Sequence, residues 1–100
     1  METANPTNEE ELLALMCKAL GNTARIRILR YIQTHPGCIS NEILVHMPDD
    51  GPHAQSTVSQ HLRVLRDAGL VEPEGEGHVI AYHIHQQHFG WLQTELASFL

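Results

Sequence analysis

Positive charge is what this chain has least of. Six Lys and Arg stand against twelve Asp and Glu, so the formal net charge is −6 with histidine neutral. That balance excludes nucleic-acid binding through a global basic field, and any such affinity must come from a local surface. Long apolar runs are absent too. None approaches the ~18 residues of a membrane span, and the N-terminus lacks the basic and apolar regions of a signal peptide. A cytoplasmic protein with no membrane partner is expected. Two cysteines, Cys17 and Cys38, are too few for a disulfide framework and begin as thiols in a reducing compartment. No repeat or low-complexity tract occurs. No phosphate loop, paired-histidine protease motif or nucleophile with a recognisable base is present either, so an enzyme lacks its parts.

What is there is one domain's worth of chain. One hundred residues leave no room for a separate sensor domain, and a hydrophobic share of 42% is ordinary for a globular fold. A lone domain of this size buries a modest fraction of its surface, which favours pairing with a second copy. The charge is unevenly placed. Residues 1–21 hold four Glu and one Lys, and residues 71–100 hold four Glu and no cation. Residues 22–70 hold five Arg against Glu42, Asp49, Asp50 and Asp67, so the little positive charge sits in the middle.

Periodicity and punctuation give the elements. Residues 1–6 read as a flexible tail. Thr7 and Glu10 have capping-box spacing, and an apolar stripe then runs from Leu12 to Leu20 until Gly21. A second helix starts after Asn22 or Thr23 and ends at His35-Pro36-Gly37, with Arg25, Arg27 and Arg30 outward. Ser40 is the expected cap of a short third helix carrying Ile43, Leu44 and Met47. Pro48-Asp49-Asp50-Gly51-Pro52 is a loop. A fourth helix is predicted over 54–68, anchored by Val58, Leu62 and Leu65, with Gly69 as its stop. The period then switches to two. Val71-Glu72-Pro73 reads as a strand, residues 74–77 as a turn, and Val79 to His85 as a second strand, so 70–85 forms a hairpin. Helical period returns over 88–100 with Phe89, Leu92, Leu96 and Phe99. The fold class is mainly α with a small β-hairpin, in the order α-α-α-α-β-β-α.

That order is the arrangement of a winged helix-turn-helix, in which the longer helix enters the major groove of double-stranded DNA. The fourth helix suits the task. Opposite its apolar anchors it carries Gln55, Ser56, Thr57, Ser59, Gln60, His61 and Arg63, with hydrogen-bonding groups sized for base edges and phosphates. Ser and Thr are poor choices for an exposed helix that has no other use for them. An ordinary solvated face is the bland alternative.

Two blocks sharpen the reading. Ala19-Leu20-Gly21-Asn22-Thr23-Ala24-Arg25-Ile26-Arg27-Ile28-Leu29 resembles the signature at the start of the second helix of the ArsR/SmtB family of transcriptional repressors. Gln55 through Leu65, followed by Ala68-Gly69-Leu70-Val71, resembles that family's recognition helix and its entry to the wing. The resemblance spans residues 12–100. It implies a homodimer built from helices 7–20 and 88–100, through Leu12, Leu13, Met16, Phe89, Leu92, Leu96 and Phe99. It also implies a repressor that binds a palindromic operator and is released by an effector: a metal ion, thiol oxidation or another input. The wing departs from the pattern, since Glu72, Glu74 and Glu76 make it acidic and only His78 stands near its tip to meet DNA.

The resemblance implies two kinds of metal site, and neither is complete. A Cys-x-Cys pair at the third helix becomes Cys38 and Ser40. A site on the last helix keeps His88, with Gln86 in place of the acid and Phe99 in place of the second His. His83, His85 and His88 remain candidates for a Zn or Ni site bridging a dimer. Cys17 and Cys38 remain candidates for a thiol switch, although Cys17, among apolar residues, reads as a small buried hydrophobe. Trp91, Phe89 and Phe99 read as interface packing, and Tyr82 as an anchor from wing to core. Arg25 and Arg27 read either as phosphate contacts or as ion-pair partners of Glu42 or Asp67. A winged helix used for protein–protein contact, without specific DNA binding, is the competing function.

Overall fold

The computed structural model describes residues 6–77 and 79–100. Its elements are α1 (Pro6–Leu20), α2 (Thr23–Thr34), α3 (Ser40–Val45), α4 (Gln55–Asp67), β1 (Val71–Glu76), β2 (Val79–Ile84) and α5 (Gln86–Ala97). The order is the one the sequence predicts. Boundaries differ where local signals compete with pairing or packing. Pro6, expected in the tail, opens α1, where a missing N–H costs nothing. The Thr7 side chain proposed as its cap lies outside the described residues.

Asn22 caps α2, its Oδ1 accepting from the Arg25 backbone N–H at 3.1 Å. Ser40 does not cap α3. It is the first helical residue, and Glu42 reaches back to accept from the Ile39 N–H at 2.9 Å. The Ser40 hydroxyl instead accepts from Gln55 Nε2 of α4 at 2.6 Å, tying the two helices together.

The end of α4 is a Schellman motif. The Gly69 N–H donates to Arg66 O and the Leu70 N–H to Leu65 O, each at 2.9 Å, which requires the left-handed φ of +77° at Gly69. Leu70 and Val71 are thereby turned into the core, and the chain enters the hairpin.

β1 is longer than the sequence suggests. Residues 74–76, expected as turn, pair with Ala81, Ile80 and Val79. A Glu-Gly-Glu run has no strand preference of its own, and antiparallel pairing with an apolar neighbour overrides it. The other edge of β2 is also covered. The Gly37 N–H donates to Tyr82 O and the Tyr82 N–H to Cys38 O, both at 2.9 Å, so the linker after α2 acts as a short third strand. Tyr82 thus anchors the wing to the body. His85, expected in the strand, is the N-cap of α5, its Nδ1 accepting from the His88 N–H at 3.3 Å.

One core joins all helices. Met16 and Ala19 of α1, Ile28, Leu29 and Ile32 of α2, Ile43 of α3, and Val58, Leu62 and Leu65 of α4 are buried together with Leu70, Val71 and Leu92. Ile26, although apolar, is on the exposed side of α2.

Gly69 gives a test of the link between α4 and the wing. A Cβ there would sit 2.7 Å from His88 Nδ1, and His88 Nδ1 is itself 2.6 Å from Gly69 O. Gly69→Ala is expected to destabilise the fold by about 1–2 kcal/mol from the left-handed backbone alone, read as a lower urea midpoint. An unchanged midpoint would show that the turn is not formed as described.

Candidate nucleic-acid interface

α3 and α4 are the two helices of the helix-turn-helix, and α4 has two opposed faces. Val58, Leu62 and Leu65 are at most 1% exposed. Ser56, Ser59, Gln60 and Arg63, at i, i+3, i+4 and i+7, form one exposed stripe on the other side and line a shallow groove together with Val64. Hydroxyls, a carboxamide and a guanidinium in one line can address base edges and phosphates, and the Val64 methyls can meet a thymine methyl. Thr57 and His61 flank this stripe and are half-buried. Gln55 is turned away from it: its Nε2 is held by Ser40, and its Oε1 is buried without a partner.

The sequence gives no direct signal for the role Arg25 plays. Its Nε donates to Ala19 O at 2.7 Å and its Nη2 to Lys18 O at 3.4 Å, so a cation caps the negative end of α1. Its Nη1 lies 3.3 Å from His61 Nδ1 on α4. Guanidinium only donates, so Nδ1 accepts in this contact and the ring proton sits on Nε2. Burial first, and the Arg25 charge second, hold His61 below its ordinary pKa of 6.5. The ion pairs expected with Glu42 or Asp67 do not form. Arg27 pairs with Asp50 at 3.1 Å, and Asp67 pairs with its neighbour Arg66 at 3.0 Å.

The hairpin register separates the acids from α4. Cross-strand partners share a face, so Glu72, Glu74 and Glu76 lie together with His83, Ala81 and Val79. Ile80 and Tyr82 are on the opposite face, and both line a pocket that also holds Ser59 and Gln55 of α4. The acidic face therefore looks away from the recognition helix. His78 lies outside the described residues.

Comparison with known proteins agrees with this geometry. The helix-turn-helix domain family matches residues 20–74. No curated protein matches the chain. Among solved structures, a possible transcriptional regulator for arsenical resistance is 30% identical, with 82% of this chain and 80% of that one covered and a TM-score of 0.68. The chain belongs to the ArsR family of winged helix-turn-helix transcriptional regulators. An ArsR-like regulator from Rhodococcus sp. RHA1 shares the fold at TM-score 0.78 and 21% identity, covering 92% of this chain and 82% of that one. A homodimeric winged helix-turn-helix domain from Mycobacterium bovis, a possible ArsR-family regulator, does so at TM-score 0.69 and 24% identity, with 100% and 94% covered. No helix among the described residues is long and apolar enough to cross a membrane.

The metal sites that the ArsR resemblance implies do not fit these residues. Cys38 is buried and its thiol is pushed up to about 11, by burial first and then by the Glu42 carboxylate, while the Ser40 hydroxyl is engaged by Gln55. His83 Nε2 faces Glu74 at 3.3 Å and His85 Nε2 faces Glu72 at 3.8 Å. The His88 ring stacks on His85 with its Nδ1 against the Gly69 carbonyl. These histidines are thus directed to separate partners, and among the described residues no three His, Cys, Asp or Glu gather to hold a metal ion. Cys17, expected to be buried, is exposed on α1, and Cys38 is the buried one. A thiol held that far above neutrality supplies little of the thiolate a redox switch needs.

Burial within one protomer divides the residues assigned to the dimer. Met16 and Leu92 are 1% and 3% exposed within a single protomer, so its own core already uses them. Leu13 and Phe89 pack half-buried against that core. Leu12 and Leu15 of α1 and Leu96 of α5, two helices that pack against each other, remain exposed. So does Phe99, which lies beyond α5 because that helix ends at Ala97 and not at residue 100.

His61 supplies the prediction here. A depressed folded pKa means that the neutral ring's contribution to stability is present above 6.5 and is lost as pH falls towards the folded value. An NMR titration of the ring should place His61 below 6.5, and Arg25→Gln should move it back up. A wild-type midpoint at or above 6.5 would mean that the Arg25 contact does not persist in solution.

Proposed function

We propose that this regulator is a homodimeric repressor whose two α4 helices read a palindromic operator and whose DNA affinity is lowered by an effector. The observation that carries the reading is the exposed Ser56, Ser59, Gln60 and Arg63 stripe set against a fully buried opposite face. Folding has no need of that stripe. Two-fold pairing would present two such stripes to half-sites about one helical turn, ~34 Å, apart.

The second copy is supported by what the protomer leaves uncovered. Leu12 and Leu15 of α1, Leu96 of α5 and Phe99 just beyond its end are between 39% and 75% exposed. The radius of gyration, 14.8 Å, exceeds the ~13 Å of a compact domain of this length. The M. bovis domain of the same fold is a homodimer. Repression is a binding task, and we read the chain as a cytoplasmic regulator rather than an enzyme.

Electrostatics set the character of the binding. Arg63 is the cation of the reading stripe, and the wing's acids face away from it. Binding therefore rests on short-range contacts, with few counterions released. The acidic wing face favours one other reading, contact with a protein carrying basic groups. An anisotropy titration against the DNA upstream of the protein's own coding sequence separates the two. Gln60→Ala should weaken specific binding and leave the salt dependence unchanged. Arg63→Ala should weaken binding and reduce the slope of log K against log salt by roughly 2 for the two protomers. Intact affinity in both variants, or no specific binding at low salt, would overturn DNA reading by α4.

The interface has its own test. Leu12→Glu combined with Leu96→Glu alters exposed positions only and is expected to give folded monomers by sedimentation. An intact dimer would place the contact elsewhere.

A further inference from the structure

A pocket of about 250 Å³ lies where α1, α2 and the junction of β2 with α5 meet, away from the DNA-reading stripe. Leu20, Ile26, Leu29, Ile84 and Phe89 form its apolar wall. Arg30, Gln33 and Gln86 supply its polar groups, and no acidic side chain lines it. Ile26 is 39% exposed here, on the side of α2 where a solvated helix would carry a polar residue.

The use made of the other arginines isolates Arg30. Arg25 is taken up by the end of α1 and His61, Arg27 by Asp50, Arg66 by Asp67, and Arg63 stands on the reading stripe. Among the described residues the Arg30 guanidinium has no ion pair and no hydrogen-bond acceptor. In a chain of net charge −6, a cation left without an acid beside an apolar pocket is complementary to an anion. The guanidinium presents a planar fork of donors that matches a carboxylate, and Gln33 and Gln86 add carboxamide donors. The volume limits the rest of the ligand. It lies just under the ~300 Å³ lower bound of drug-sized sites, which leaves room for one ring or a short acyl chain.

We propose that this pocket binds a small amphipathic monocarboxylate, with its carboxylate on Arg30 and its apolar body against Ile26, Ile84 and Phe89, and that it is the regulator's effector site. The effector role rests on the DNA-binding reading above; the binding itself does not. The position suits the role. α2 packs on α4, whereas α1 and α5 carry the apolar residues assigned to the second copy. A ligand held between α2 and α5 sets the angle between the dimer helices and the reading helix. Coupling of this kind typically changes affinity by roughly 5- to 150-fold.

Methyl NMR of the reduced, DNA-free protein tests the pocket directly, with benzoate as probe and benzamide as its neutral control. Benzoate should shift the Ile26, Leu29 and Ile84 methyl signals saturably, and benzamide should bind at least tenfold more weakly. Arg30→Gln should remove that preference with the rest of the spectrum unchanged. Gln86→Glu should weaken benzoate and spare benzamide, which keeps the test valid if Arg30→Gln fails to fold. Absence of saturable shifts, equal binding of the two probes, or contacts from the partner protomer filling the pocket would overturn the site. Operator affinity is then measured with benzoate bound. A loss of about fivefold or more supports the effector role, and an unchanged affinity sinks it. Failure to bind the operator without benzoate would instead count against the DNA-binding reading, which the NMR result does not share.

Discussion

The complete burial of one face of α4 is the constraint on which the rest depends. Val58, Leu62 and Leu65 meet Ile28 and Ile32 of α2, Ile43 of α3 and Leu70 beyond the Gly69 turn in a single core. Each such side chain contributes about 1.5–3 kcal/mol when removed from water, so rolling α4 about its axis would forfeit several of these at once. The helix is therefore keyed to the body chiefly by apolar contacts, with the Gln55–Ser40 and His61–Arg25 hydrogen bonds added at its edges. The stripe of Ser56, Ser59, Gln60 and Arg63 stays free of structural duties, and the same packing fixes its direction. A surface that reads DNA needs such fixed side-chain origins, because a hydrogen bond to a base edge tolerates little misplacement.

The polar contacts then decide how so acidic a chain can approach DNA at all. Arg25 closes the end of α1 and, through His61, ties that end to α4. Removing it would leave the Ala19 carbonyl without its donor, while Lys18 O keeps the Gly21 N–H. The three wing glutamates share one face by register, and that face is opposite the one beside Ser59 and Gln55. Screening over ~8 Å at physiological salt weakens their repulsion of a phosphate backbone further. Net charge thus describes long-range approach poorly here, and the local arrangement carries the binding.

Much of this was legible in the sequence, and the exceptions share a cause. Asn22, Gly69 and the loop around Pro48 and Gly51 mark element ends by local chemistry, which a sequence displays directly. The Glu74-Gly75-Glu76 strand is set by its partner across the hairpin, and pairing is a non-local fact. Met16 and Leu92 lie on the apolar faces where the period puts them. Periodicity shows that a face is covered and not whether a protomer's own core or a second copy covers it. Ser40 suits a cap and Gln55 a DNA contact when each is taken alone, and in the fold the Ser40 hydroxyl accepts from Gln55 instead. The signature arginine was visible too, yet its task of capping a preceding helix depends on where that helix ends in space.

The absence of a fitting metal site among the described residues raises the question of where an input could act. α4 itself is a poor place. Its buried face leaves no slack, and close-packed interiors shift between discrete arrangements rather than deforming smoothly. The junction of α2 with α5 is better placed, because it joins a rigid reading body to the helices assigned to the second copy and is only partly filled. A small change of angle there would leave α4 intact within each protomer. It would still displace the two reading stripes relative to half-sites ~34 Å apart, where the lever arm is longest. Regulation by such a rotation requires no polar chemistry in the core, which matches a protein whose buried residues, among those described, are all apolar.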